Sequence, residues 1–132
     1  MGDIIERLRV RTIPRGGGRP LRLCFDTGSL HSFVKASAAA RLGNVLELGE
    51  PQSFGGLGDG HFAAREIVHF EARLLDFWCP HYAYVVDDRV LGDDYDMLAG
   101  HGFMQGFDVR CDPRKRRIVL NRSSLRLAQT VR

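Results

Sequence analysis

The chain has 132 residues, 44% of them hydrophobic and 27% charged, with a formal net charge of +3. That length suits one domain with a real core and is too short for two. No apolar run approaches the roughly 18 residues a membrane span needs, and Met1-Gly2-Asp3-Ile4-Ile5-Glu6 carries acids where a leader would carry cations.

The expectation is therefore a single cytoplasmic domain, residues 1–132, with a core over about 6–120 and a tail over 121–132. Cys24, Cys79 and Cys111 are odd in number and scattered, which reads as reduced, packed thiols and not a disulfide framework. Acids gather at Asp87-Asp88 and Asp93-Asp94-Tyr95-Asp96, while Arg110 and Arg114-Lys115-Arg116-Arg117 make the C-terminal end basic. No aromatic platform or recognition helix accompanies those cations, so a solvated hairpin is expected, and no nucleic-acid partner.

In chain order, Leu8, Val10 and Thr12 alternate with Arg7, Arg9 and Arg11, the period-two pattern of a half-buried strand. Pro14-Arg15-Gly16-Gly17-Gly18 is a turn, and Leu21, Leu23 and Phe25 form a second strand that delivers Asp26. The alanine-rich 36–42 stretch predicts a short helix stopped by Gly43. A polar strand around Val45 to Leu48 then leads to Phe54-Gly55-Gly56-Leu57-Gly58-Asp59-Gly60. That run is too glycine-rich to pack and is expected to be a mobile hairpin tip.

Val68, Phe70, Ala72 and Leu74 mark another strand, Trp78-Cys79-Pro80 a bend, and His81 to Val86 a further strand. Met97-Leu98-Ala99-Gly100 is a buried apolar segment. His101 to Gln105 reads as one helical turn ended by Gly106, followed by a final hairpin over 107–120. In the tail, Leu125, Leu127 and Val131 alternate loosely. The sum is an all-β domain with one or two short helices.

Asp26-Thr27-Gly28-Ser29 stands out. A carboxylate at the end of an apolar strand costs several kcal/mol unless compensated. Flanking hydroxyls can bond it, and Gly28 tolerates positive φ and lets backbone approach. The layout suits acid-base chemistry, although Asp-Thr-Gly-Ser also makes a good surface turn.

With these landmarks in place, the sequence resembles a retropepsin-like aspartic protease, the single-domain retroviral type with bacterial relatives. Phe25-Asp26-Thr27-Gly28-Ser29 resembles its catalytic loop, Gly55-Gly56-Leu57-Gly58 its flap tip, and Met97-Leu98-Ala99-Gly100 the segment crossing behind the loop. The resemblance implies a closed or partly open β-barrel with a glycine-rich flap hairpin. It also implies a homodimer in which two copies of Asp26 activate a water to hydrolyse a polypeptide substrate.

Asp26, Thr27 and Gly28 would be catalytic, with Thr27 bonding across the dimer and the Ser29 hydroxyl supporting the outer oxygen of Asp26. Phe54, Gly55, Gly56, Leu57 and Gly58 would form the flap, with Val34 and Leu98, as well as Cys24, as pocket walls. No metal and no cofactor is implied. Leu30 and His101 stand where retroviral members carry an ion pair, so that brace is expected to be missing. Asp93, Asp94 and Asp96 are expected at the cleft edge. The role of the tail is left open; in retroviral relatives the chain ends interleave into a dimer sheet, and Leu125, Leu127 and Val131 are candidates for it.

Two other readings compete. A catalytically silent dimer of this fold would act as a peptide-binding or scaffolding module. A zinc site from Cys79, His81, Cys111, His61 or His69 lacks any recognised ligand spacing.

Overall fold

The computed structural model describes residues 3–12, 16–57 and 60–129, without the side chains of 56 and 57. Strand β1 (Ile4–Arg11) pairs antiparallel with β2 (Arg19–Asp26), setting Ile4 opposite Phe25. β3 (Phe33–Lys35) runs straight into helix α1 (Ala36–Leu42), and Gly43 ends that helix at φ 79°. β4 (Val45–Leu57) and β5 (Gly60–Leu74) make a long hairpin to which β6 (Phe77–Val86) adds. A 3-10 turn at Asp88–Val90 precedes β7 (Met97–Gly100) and helix α2 (His101–Gly106). A hairpin of β8 (Arg110–Asp112) and β9 (Arg117–Val119) leads to helix α3 (Arg122–Ala128).

The main sheet runs β1-β2-β7-β3-β6-β5, and β1 meets β5 at Val10↔Ala72 and Arg11↔Glu71. Six strands thus close a barrel, with β4 extending beyond it on β5. β7 threads between β2 and β3, parallel to the first and antiparallel to the second. Strands in this position are buried on both faces, which is why they read as unbroken apolar runs. Leu23, Phe25, Val34, Met97 and Ala99 face the barrel core, whereas Cys24, Phe33 and Leu98 join Val86, Leu91 and Tyr95 in a second cluster. Burial pushes the Cys24 thiol up to about 12 and the Cys79 thiol up to about 11. All three cysteines are free.

Three expectations need correcting. The chain does not bend at Trp78-Cys79-Pro80; β6 passes straight through, and the reversal comes at Leu75-Asp76, with Leu75 at φ 54°. Pro80 fits because β3 covers the far edge of β6 only at 84–86, so the missing N–H leaves no ladder bond unmade on that side. Second, β4 is not confined to 45–48: it continues through register shifts to Leu57, paired as Phe54↔Phe62 and Gly55↔His61. The tip at Gly58 and Asp59 lies outside the described residues, as do Pro14, Arg15 and Val131.

Third, the loose alternation in the tail is not that of a strand: Arg122–Ala128 form a helix. Asn121 caps α3 by accepting the Ser124 N–H at 2.9 Å, and Ser124 Oγ donates to Asp108 at 2.8 Å. Leu125 is fully buried in the main core while Leu127 is 70% exposed, so one side chain carries the docking. Leu125→Ala is expected to cost about 2–5 kcal/mol, read as a lower denaturant midpoint with an unchanged slope. Among the described residues no helix is long and apolar enough to cross a membrane.

Asp96 is also a structural brace and not a cleft-edge acid. Its Oδ2 accepts the Arg22 N–H at 2.9 Å, its Oδ1 faces Arg22 Nη2 at 3.1 Å and Arg41 at 3.6 Å, and its carbonyl accepts the Lys35 N–H at 3.0 Å. Burial pushes this carboxyl up, but bonds from the Arg22 side chain and N–H, with the charges of Arg22 and Arg41, outweigh it and hold the acid below its usual range. A depressed folded value adds stability that is present above the unfolded pKa and lost as pH falls through the folded one. Asp96→Asn is therefore expected to lower Tm near neutrality and to flatten its fall below about pH 4. Thermal melts across that range are the check.

Candidate active site

Asp26 is the last residue of β2 and is partly exposed, delivered to the barrel rim by the apolar strand behind it. Its Oδ1 accepts the N–H of Gly28 at 2.8 Å, and its carbonyl accepts the N–H of Ser29 at 3.3 Å. Gly28 does not adopt a left-handed φ. Its smallness matters through proximity, since a Cβ there would lie 3.2 Å from Asp26 Oδ1. Thr27 and Gly28 are both exposed on the single chain.

The loop after Asp26 is clamped from behind. β7 pairs Asp26 with Gly100, and the chain then donates three times into the loop. Gly100 N–H bonds Ser32 Oγ at 3.0 Å, His101 N–H bonds the Ser29 carbonyl at 2.6 Å, and Gly102 N–H bonds the Leu30 carbonyl at 3.1 Å. These backbone bonds stand where an ion pair between residues 30 and 101 would otherwise brace the loop. Leu30 is instead 63% exposed.

The Ser29 hydroxyl is not on Asp26. It donates to the His31 carbonyl at 2.8 Å, and a hydroxyl has one proton to give. Ser29 therefore shapes the loop, and the acid-favouring bond expected of it is withdrawn.

A cleft of about 270 Å³ opens beside the carboxylate, lined by Asp26, Gly28, Ser29, Leu30, His31, Phe33, Phe54 and Gly55. Asp26 is its only acid among the described residues. Phe54 on β4 reaches it from the hairpin side: it stacks on Phe62 at 5.5 Å between ring centres and meets Phe33 at 5.0 Å and Tyr84 at 4.8 Å. His31 lies edge-on to Phe54 at 5.3 Å, joining the acid's loop to the hairpin. The structure thus brings Asp26, Gly28, Ser29, Phe54 and Gly55 together. The side chain of Leu57 and residue 58 lie outside the described residues.

Among the described residues, Val34, Leu98 and Cys24 do not line this cleft. Val34 is fully buried in the barrel core, while Leu98 and Cys24 lie in the second cluster behind the loop. Phe33, next to Val34 on β3, is the apolar residue of these strands that reaches the cleft. Three contributors escaped the sequence reading: Phe33, His31 and Ser32. Ser32 is 2% exposed, and its carbonyl also accepts the Tyr84 N–H at 3.0 Å. A serine directly before an apolar Phe-Val pair was the available signal.

No protein-family model matches the chain, and no curated protein sequence matches it. Solved structures do. The retroviral protease-like domain of Ddi1 from Leishmania major superposes with a TM-score of 0.63 at 11% identity, over 92% of this chain and 90% of that one. The EIAV protease complexed with the inhibitor HBY-793 superposes with a TM-score of 0.57 at 15% identity, over 79% of this chain and 86% of the other. At such identities the likeness establishes architecture alone. The closed barrel with its threaded β7, long β4–β5 hairpin and few short helices is a retropepsin-like fold.

Proposed function

We propose that this chain is one half of an aspartic endopeptidase. The observation that carries the reading is Asp26 itself: a partly exposed carboxylate at a cleft rim, oriented by the Gly28 N–H and backed by three backbone bonds from 100–102. Such preorganisation suits a group that must exchange protons at one position. One chain supplies one such acid, and the chemistry needs two, so the site is completed by Asp26 of a second copy across a two-fold axis.

Two carboxylates about 3 Å apart cannot both ionise, and they share a proton. The ionised member takes a proton from a water that attacks the scissile carbonyl. The protonated member gives its proton to the carbonyl oxygen; the other carboxyl, now carrying the water's proton, gives that proton to the leaving amine as the C–N bond breaks, and a hydroxyl of the diol returns a proton to the first. Thr27, exposed on the single chain, bonds the partner loop and sets the spacing. The β4–β5 hairpin, anchored at Phe54, closes its tip at Gly55, Gly56, Leu57 and Gly58 over an extended substrate and excludes water.

The test is cleavage of a mixed peptide library from about pH 4 to 7, with oligomeric state followed by sedimentation. Specific activity is expected to rise with protein concentration as pairs form, and to be blocked by a statine-type transition-state mimic. A stable pair that cleaves nothing in the library would favour a peptide-binding module of the same fold.

A further inference from the structure

The basic hairpin turn carries more charge than its fold requires. Asp112 Oδ1 nucleates the turn by accepting the N–H groups of Arg114 and Lys115 at 3.1 and 3.2 Å. That leaves nothing structural for four successive cations to do. Arg114, Lys115, Arg116 and Arg117 are all exposed, and none is in an ion pair among the described residues. Arg116 sits at φ 52°, a left-handed conformation that glycine or asparagine would adopt at lower cost.

These cations overhang a groove of about 480 Å³ between the hairpin and β1. Ile5, Leu8, Ile118 and Leu120 make its floor, and Lys115, Arg116 and Arg117 its rim. Glu6, the acid in the lining, is engaged with the Ile118 N–H at 3.2 Å. The groove also borders unpaired backbone. β1 meets β5 only at Val10 and Arg11, so its edge from Ile4 to Arg9 has no strand partner among the described residues; β9 pairs with β8, and its Ile118 N–H is taken by Glu6, so the open edge is that of β1. Open strand edges recognise another peptide backbone, which neither a lipid surface nor a nucleic acid supplies.

We propose that this groove docks an acidic, extended segment of a protein partner. Apolar side chains on one face of that segment meet the floor, and its carboxylates meet Lys115, Arg116 and Arg117. The groove shares no lining residue with the Asp26 cleft, so the inference stands independently of the protease reading.

The probe is a fluorescent peptide alternating leucine with glutamate, titrated with the full chain and followed by polarisation. Its counterpart with lysine for glutamate, an oligothymidylate of equal charge and phosphatidylserine vesicles serve as comparisons. The acidic peptide is expected to bind best and to weaken as salt rises. Lys115→Glu with Arg117→Glu should cost more than about tenfold in affinity. Arg116→Gly should cost about threefold while keeping or raising Tm, because glycine relieves the left-handed φ. That variant separates lost binding from lost folding. No binding of the acidic peptide, indifference to charge reversal, or equal binding of oligothymidylate or vesicles would overturn the proposal. So would loss of self-association on sedimentation in the Lys115→Glu, Arg117→Glu variant, which would put a second copy in the groove.

Discussion

Asp26→Asn is expected to reduce peptide cleavage by at least about a thousandfold, and to do so dominantly. Asparagine is nearly isosteric, and its amide oxygen can still accept the Gly28 N–H, so the loop geometry survives. What is lost is the ability to hold and release a proton at that position. Because each site is shared by two copies, the variant also disables the chains it pairs with. At a threefold excess of variant, random pairing leaves only about a quarter of the unmodified chains with an unmodified partner. Steady-state rates in such mixtures should therefore fall well below the amount of unmodified protein added. A rate proportional to that amount, with no poisoning, would mean that activity resides in the single chain and would remove the shared site. Equal Tm for the two proteins is the control for folding.

Gly100→Ala is expected to be among the most destabilising single changes available, at about 3–5 kcal/mol. A Cβ at this position would meet the His31 carbonyl group and would lie 2.7 Å from the Ser29 carbonyl oxygen. These are backbone atoms in a loop and cannot rotate aside. Either β7 or the loop must shift, and the bonds from Gly100, His101 and Gly102 to Ser32, Ser29 and Leu30 break together. Gly49→Ala is the matched control: nothing lies within 4 Å of a Cβ there. Its effect should stay within about 0.5 kcal/mol. Denaturant melts of the two variants decide the point. A small effect at Gly100 would mean the loop is looser than its hydrogen bonds imply.

The elements legible in the sequence are those where one local signal dominates. β1 shows period-two burial, β2 sends Leu21, Leu23 and Phe25 into the core, α1 has its alanines and a left-handed Gly43, and β7 is apolar because both of its faces are covered. That Asp26 ends β2 at a rim beside Gly28 was legible, because an apolar strand running into Asp-Thr-Gly must end there in a turn. The misreadings share a cause: tertiary context overrode a local preference. Pro80 looked like a bend, but it sits where its strand has an open edge. Gly55 looked unpackable, but it pairs across the hairpin with His61, next to Phe54 on Phe62, and stays extended. Leu125 and Leu127 looked alternate because a two-turn helix with one buried side chain presents too few positions to fix a period. Val34 and Leu98 could not be assigned to core or cleft from polarity alone, since both environments are apolar. Asp96 lay in an acidic run, and nothing in its neighbours announces that Arg22 would be its partner.

The threading of β7 also has a kinetic side. Arg22 and Asp96, at the start of the β2–β7 pairing, are 74 residues apart in the chain. Closing so long a loop is entropically expensive and slow compared with zipping β1 to β2 or β5 to β6. A chain still being synthesised therefore exposes Asp26 long before residues 100–102 arrive to fix it. The loop geometry around Asp26 is set only once residues 100–102 have emerged, so a nascent or truncated chain carries the acid without the backbone that orients it.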